Sequence, residues 1–317
     1  MKTETVIVYA AIILATLFWG ITFIWTEQVL KHYQPITTIL LRLAISSVFL
    51  WSYGTISKRI QKIRKKDLSA VFMMTLFQPF LYFIGENYGV KIVGPTVTSV
   101  VIATIPLFTP FAAYFFLKEK ITAMNLFGIM VSFVGVYFVI VDDQFRFIIP
   151  FDGAMVLIMA VAAAIAYSVI VIRLTDKYNI YSLITYQNTF GILFFLPVFL
   201  VFDYTDFVQT GFCSQAWLPL VELSLFGSTF AFILFTYGIK KIGISKTNVF
   251  SNIIPVFTAI AAYLLLGSRL TKLNIIGISI VVGGLFIAQI NSSVFKATAL
   301  LLAKPFRISR KKNRQKE

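Results

Sequence analysis

The chain has 317 residues, 58% of them hydrophobic and only 13% charged, with a formal net charge of +15 and a mean hydropathy of +0.86. A soluble domain carries about 45–50% apolar and about 25% charged residues, so a soluble globular protein is excluded. Long unbroken apolar runs exclude a β-barrel, whose strands alternate, while one cysteine, Cys213, and one histidine, His32, provide neither a disulfide framework nor a metal cluster.

The apolar runs read as ten helical spans, at 6–26, 36–55, 69–90, 94–117, 121–141, 151–173, 182–202, 216–238, 244–267 and 272–290. Each is long enough to cross a hydrocarbon core. Further spans follow the first, which therefore reads as a span and not as a cleaved signal peptide. Span 1 holds Trp19-Gly20 at its middle, where glycine permits close approach and the indole offers a face to a planar or cationic solute. Span 2 carries Arg42, and span 3 carries Gln78, Tyr82 and Glu86 at spacings of four, on one helix face. Ionisable groups inside a span are functional candidates. Arg42, Glu86 and Glu222 of span 8 are read either as ion-coupling groups for protons or, for Arg42 and Glu86, as a neutralising ion pair. All three lie near a span end, within reach of snorkelling to the interface.

Pro106 sits mid-way along span 4. Proline withholds a donor from the carbonyl four residues back, and in lipid that carbonyl needs protein or water. The result is either a packing kink or a helix break facing a cavity. Span 5 carries Gly128 and Gly135, a small-residue spacing suited to close helix packing. In span 9, Asn248, Asn252 and Pro255 fall on one face. These asparagines serve either an interhelical hydrogen bond, worth about 0.6 kcal/mol, or contact with a solute. Span 10 repeats the glycine spacing as Gly277 and Gly284.

That repetition is general. Shifted by 149 positions, Tyr88–Gly135 lies on Tyr237–Gly284 without a gap, keeping Gly94, Thr98, Pro106, Asn125, Gly128 and Gly135 in register with Gly243, Thr247, Pro255, Asn274, Gly277 and Gly284. Shared apolar composition does not keep glycine, proline and asparagine in register, so the chain is a tandem duplication. Its divisions are 1–149, 150–290 and a basic tail, 291–317. Five spans per copy is an odd number, so the second copy enters the membrane from the opposite side. Two inverted five-helix repeats are a transporter signature.

Basic residues choose the orientation. With both termini inside, the inner segments hold Lys58, Arg59, Lys62, Arg64, Lys65 and Lys66, further pairs at Lys118/Lys120, Arg173/Lys177 and Lys240/Lys241, and the basic tail. The outer loops hold only Lys31, Lys91, Arg146, Arg269 and Lys272. Positive loops stay on the cytoplasmic side, which makes both termini cytoplasmic in an inner or plasma membrane. The basic excess is thus topological, with the tail free to meet anionic lipid at about 1 kcal/mol per charge. No nucleic-acid module fits between the spans. No G-x4-G-K-[ST] loop is present to drive transport with ATP, and neither catalysis nor a cofactor is expected.

The Trp19-Gly20-x2-Phe23 motif, an Arg two turns into span 2, the Pro106-x7-Tyr114-x4-Glu119 pattern and the Gly128-x6-Gly135 span together resemble the drug/metabolite transporter superfamily, in its EamA branch. The second copy keeps Pro255 and Tyr263 but has Ser268 where the pattern has Glu. The resemblance covers residues 6–290. It implies a secondary carrier working by alternating access, often outward, on small organic metabolites such as amino acids or drugs. By the same resemblance Trp19, Tyr82, Ser99, Tyr167, Asn248 and Asn252 line a central cavity, and Glu119 is structural. Two rival readings are a lipid-linked sugar flippase of the same fold and a non-transporting sensor or assembly subunit.

Overall fold

The computed structural model describes residues 3–117, 123–142, 144, 146–147, 149–268 and 270–289; Glu119, Arg269 and the basic tail lie outside the described residues. Among the described residues the protein is all-helical, with one isolated bridge, Val141 to Phe147, and no strand. In chain order the helices are α1 (Thr3–Leu30), α2 (Pro35–Ile56), α3 (Leu68–Thr75), α4 (Tyr82–Ile102), α5 (Ile105–Leu117), α6 (Ala123–Val139), α7 (Phe151–Thr175) and α8 (Ile180–Phe202). They continue with α9 (Tyr204–Thr210), α10 (Ser214–Glu222), α11 (Ala231–Ile242), α12 (Ile244–Asn248), α13 (Ile254–Leu266) and α14 (Lys272–Gln289). Among the described residues, six helical stretches are long and apolar enough to span a membrane, and shorter apolar helices accompany them. The segment 203–215, expected as a plain loop, contains the short α9.

The interruptions explain why some helices are short. Lys65–Ile102 runs as 38 helical residues, which would be about 57 Å long if straight, nearly twice a bilayer core. Gly94 divides it, with φ 81 and ψ 170. Gly243, 149 positions on, has φ 84 and ψ 166 and separates α11 from α12. This region of backbone space is essentially reserved for glycine, so the two residues set equivalent corners in the two copies.

Spans 4 and 9 are each broken near their prolines. In the first copy the break falls at Ala103 and Thr104, and α5 begins one residue before Pro106. In the second, a 3-10 turn over Val249–Ile253 precedes α13, which begins one residue before Pro255. The carbonyls four residues before these prolines, which proline cannot bond, are those of Ile102 and Ser251; the Ile254 N–H donates to the Ser251 carbonyl instead. Spans 3 and 8 are also irregular at matching places: span 3 is interrupted at Gln78, with φ −146 and ψ 119 just before Pro79, and span 8 carries a π-helical turn over Leu223–Phe230. A π turn widens the helix and releases backbone groups locally.

The two copies interlock. α1 packs on α11 and α13, α4 on α7, α2 on α8, and α6 on α14. A Cβ on Gly20 of α1 would lie 2.5 Å from the Phe257 Cβ, and Thr258 Oγ1 donates to the Gly20 carbonyl at 2.9 Å. Only glycine permits that approach.

The α6–α14 contact is reciprocal. A Cβ on Gly284 would lie 2.8 Å from the Gly128 carbonyl, one on Gly135 would lie 2.7 Å from the Gly277 carbonyl, and Ser132 Oγ donates to the Val281 carbonyl at 3.2 Å. Numbers rise along α6 as they fall along α14, so the two helices run antiparallel. Each contact maps onto its counterpart under the 149-residue shift, the pattern of a two-fold interface.

Side-chain clamps mark the two ends of the bundle. At one end, Lys177 Nζ and Tyr178 Oη donate to Asp67 at 2.8 and 2.7 Å, and Asn179 Nδ2 donates to the Arg59 carbonyl at 2.9 Å. At the other, the backbone N–H of Thr37 donates to Asp203 Oδ2 at 2.9 Å, and Tyr33 Oη donates to the Gly211 carbonyl at 3.0 Å.

Candidate functional site

A cavity opens between α1, α2, α4, α7, α11 and the broken span 9. Its walls are built from repeat-related residues. Trp19 and Ser168, Phe83 and Phe232, Glu86 and Phe235, Ile102 and Ser251, and Ile105 and Ile254 are each 149 positions apart, and every one of them lines it. Both residues four positions before the prolines are among them. Aromatic rings form much of the surface. Trp19 packs on Phe235 at 4.6 Å and on Phe232 at 5.3 Å between centroids, and Phe83 meets Phe232 at 6.2 Å. The indole N–H of Trp19 donates to the Gly227 carbonyl at 3.3 Å, so a carbonyl in the π turn of span 8 holds the ring in place.

Polar groups gather at one wall. Arg42 is 1% exposed and Glu86 4%, so neither snorkels to an interface. The Arg42 Nε donates to Ser228 Oγ at 2.8 Å, and the guanidinium lies 4.0 Å above the Phe83 ring centroid. Nη1 stands 3.8 Å from Glu86 Oε1, beyond hydrogen-bond reach, and has no hydrogen-bond partner. Behind Arg42, Asn188 Nδ2 donates to Ser46 Oγ at 2.7 Å and to the Ser228 carbonyl at 3.1 Å, while Ser46 and Thr229 share a hydroxyl contact of 2.5 Å. This network ties α2 and α8 to the π turn that carries Ser228.

An EamA-like transporter family model matches residues 6–141 and again 153–289. The chain belongs to the EamA-like transporter family. The relatives it matches are named as transporters. An uncharacterized transporter of Archaeoglobus fulgidus is 30% identical over 86% of this chain and 95% of its own length. The uncharacterized transporter YetK of Bacillus subtilis is 27% identical over 79% of this chain and 77% of its own. A protein crystal structure with 15% identity matches with a TM-score of 0.69 over 92% of this chain and 98% of that one, a likeness of fold.

Within this EamA-type transporter, the sequence-derived candidates separate. Trp19, Tyr82, Tyr167, Asn248, Arg42 and Glu86 line the one cavity. Tyr167 Oη donates to Gln187 Oε1 at 3.0 Å, and Asn248 Nδ2 donates to Thr109 Oγ1 at 3.2 Å, a link between spans 9 and 4. Ser99 is fully buried away from the cavity and donates to the Thr96 carbonyl. Asn252 is also fully buried off the wall, with neither amide atom partnered. The 3-10 turn accounts for its separation from Asn248: tightening the helix between them rotates the two off a common face. Pro106 and Pro255 sit behind the wall at the helix breaks, and Glu222, half-buried at the end of α10, is not part of it.

Residues not singled out from sequence include Phe232, Phe235, Thr236 and Ser251, all on the wall. Phenylalanine in an apolar span carries no local mark. The repeat offset was the available signal, because Phe235 and Ser168 stand where the other copy has Glu86 and Trp19.

Proposed function

We propose that this protein is a secondary carrier that exports a small organic solute, an amino acid or related metabolite, by alternating access. In this reading ten spans form two inverted five-helix copies in the cell membrane, and the solute sits between them in contact with Trp19, Tyr82, Tyr167 and Asn248. The observation that carries the reading is the cavity walled by residue pairs 149 apart, the placement typical of inverted-repeat carriers. The antiparallel, reciprocal contact of α6 with α14 supports the inversion, since repeats related about the membrane normal would pair those helices parallel. Cytoplasmic termini are supported by the clamps at the two ends: Arg59, Lys177 and the Lys62–Lys66 cluster share one end, and Asp203 belongs to the other.

The test is flux in proteoliposomes loaded with a pool of amino acids, sugars and cationic drugs. The parent protein is expected to move at least one of them. The double variant Trp19→Ala/Asn248→Ala should lose at least tenfold of that flux, and Glu222→Gln should keep it. Folded protein that moves nothing, or parent-like flux in the double variant, would refute the assignment.

A further inference from the structure

We propose that Arg42 and Glu86 form a split head-group site for a zwitterion, with the solute's carboxylate on Arg42 and its ammonium on Glu86. The proposal rests on the carrier reading above and names the solute class of the same cavity. The geometry of Arg42 points to a ligand. Its guanidinium is held by the Ser228 hydroxyl at Nε and by the Phe83 ring below its plane, with Nη2 on the side of Gly227. Nη1 is buried with no hydrogen-bond partner and faces Glu86 across 3.8 Å.

A guanidinium–carboxylate pair that serves structure alone closes to about 2.7–2.9 Å. A buried pair left open forfeits the hydrogen bonds that offset its desolvation. Arg42 and Glu86 therefore hold each other's charge in the empty carrier without a direct hydrogen bond, the Glu86 carboxylate accepting from the Tyr82 hydroxyl instead. Among the cavity-lining residues they are the one cation and the one carboxylate, so the wall is neutral as a whole. A lone carboxylate entering would leave Glu86 unpaired, and a lone amine would do the same to Arg42. A zwitterion supplies both partners and keeps the balance. Arginine presents donors in a fixed fork that suits a carboxylate, and the rings of Trp19, Phe232 and Phe235 opposite offer apolar surface to the rest of the solute.

The experiment uses the full chain in proteoliposomes. The twenty common amino acids are each compared with the matching decarboxylated amine and deaminated acid. At least one amino acid is expected to move tenfold or more faster than both of its analogues. Arg42→Gln and Glu86→Gln should each remove at least tenfold of that flux while eluting and melting as folded protein. Should Arg42→Gln fail to fold, the parent's ratio of zwitterion to analogue flux and Glu86→Gln decide between the outcomes. A parent that carries amines, acids or neutral solutes as fast as zwitterions overturns the split site and leaves the carrier standing. A folded parent that moves nothing overturns the carrier reading itself.

Discussion

Gly283 and Gly284 are neighbours in α14 with opposite surroundings. A Cβ on Gly283 meets nothing within 4 Å, whereas one on Gly284 would lie 2.6 Å from the Ser132 backbone nitrogen and 2.8 Å from the Gly128 carbonyl. Those atoms belong to the α6 backbone and do not swing aside, so the helices must part by about 1 Å to restore ordinary contact. Exchanging glycine for alanine favours a helix by about 1 kcal/mol at either position, which cancels between the two variants. What remains is the overpacking cost, about 1–3 kcal/mol. At roughly 2–4 °C per kcal/mol for larger domains, Gly284→Ala should melt several degrees below Gly283→Ala, which itself should match or exceed the parent. Thermal unfolding in one detergent, followed by intrinsic fluorescence, reads this difference directly. Solute affinity should not change in either variant, because neither helix lines the cavity. Equal melting of the two variants would refute the two-fold contact between α6 and α14.

Gly94→Ala and Gly243→Ala should each cost about 1–3 kcal/mol, because both force a side chain into a backbone region reserved for glycine; comparable losses of melting temperature are expected, and no loss in either would contradict the equivalent corners. Asn188→Ala should cost about 1–3 kcal/mol by leaving the Ser228 carbonyl and Ser46 short of a donor, measured by the same melt. If the network positions Arg42 through Ser228, that variant should also raise the KM for the solute more than it lowers the maximal rate. Tyr167→Phe removes the hydroxyl that donates to Gln187 Oε1, and because Gln187 Nε2 already has no partner, a loss of about 1–3 kcal/mol is expected on the same assay.

The helical membrane class, the duplication and the sites of the backbone breaks were legible in the sequence, since each depends on local chemistry. Apolar run length sets the class. Gly94, Gly243, Pro106 and Pro255 act on their own dihedrals and on carbonyls within a turn. Over Tyr88–Gly135 the 149-residue offset also named each residue's counterpart without coordinates. The cavity wall was only partly legible. Asn248 and Asn252 carry the same helical-face signal, yet the 3-10 turn places one on the wall and buries the other without partners. Span ends suggested an interfacial Arg42; packing of α2 against the π turn of span 8 instead buries it beside Glu86, 44 positions away, with Ser228 186 positions away.

A sequence records which residues repeat and where the backbone must bend. Which faces meet across an interlocked pair of copies depends on helix rotation summed over several irregular turns, and no residue records that rotation locally. The 3.8 Å gap between Arg42 and Glu86 is a product of that packing, and so is the choice of which phenylalanines face the solute space and which face lipid.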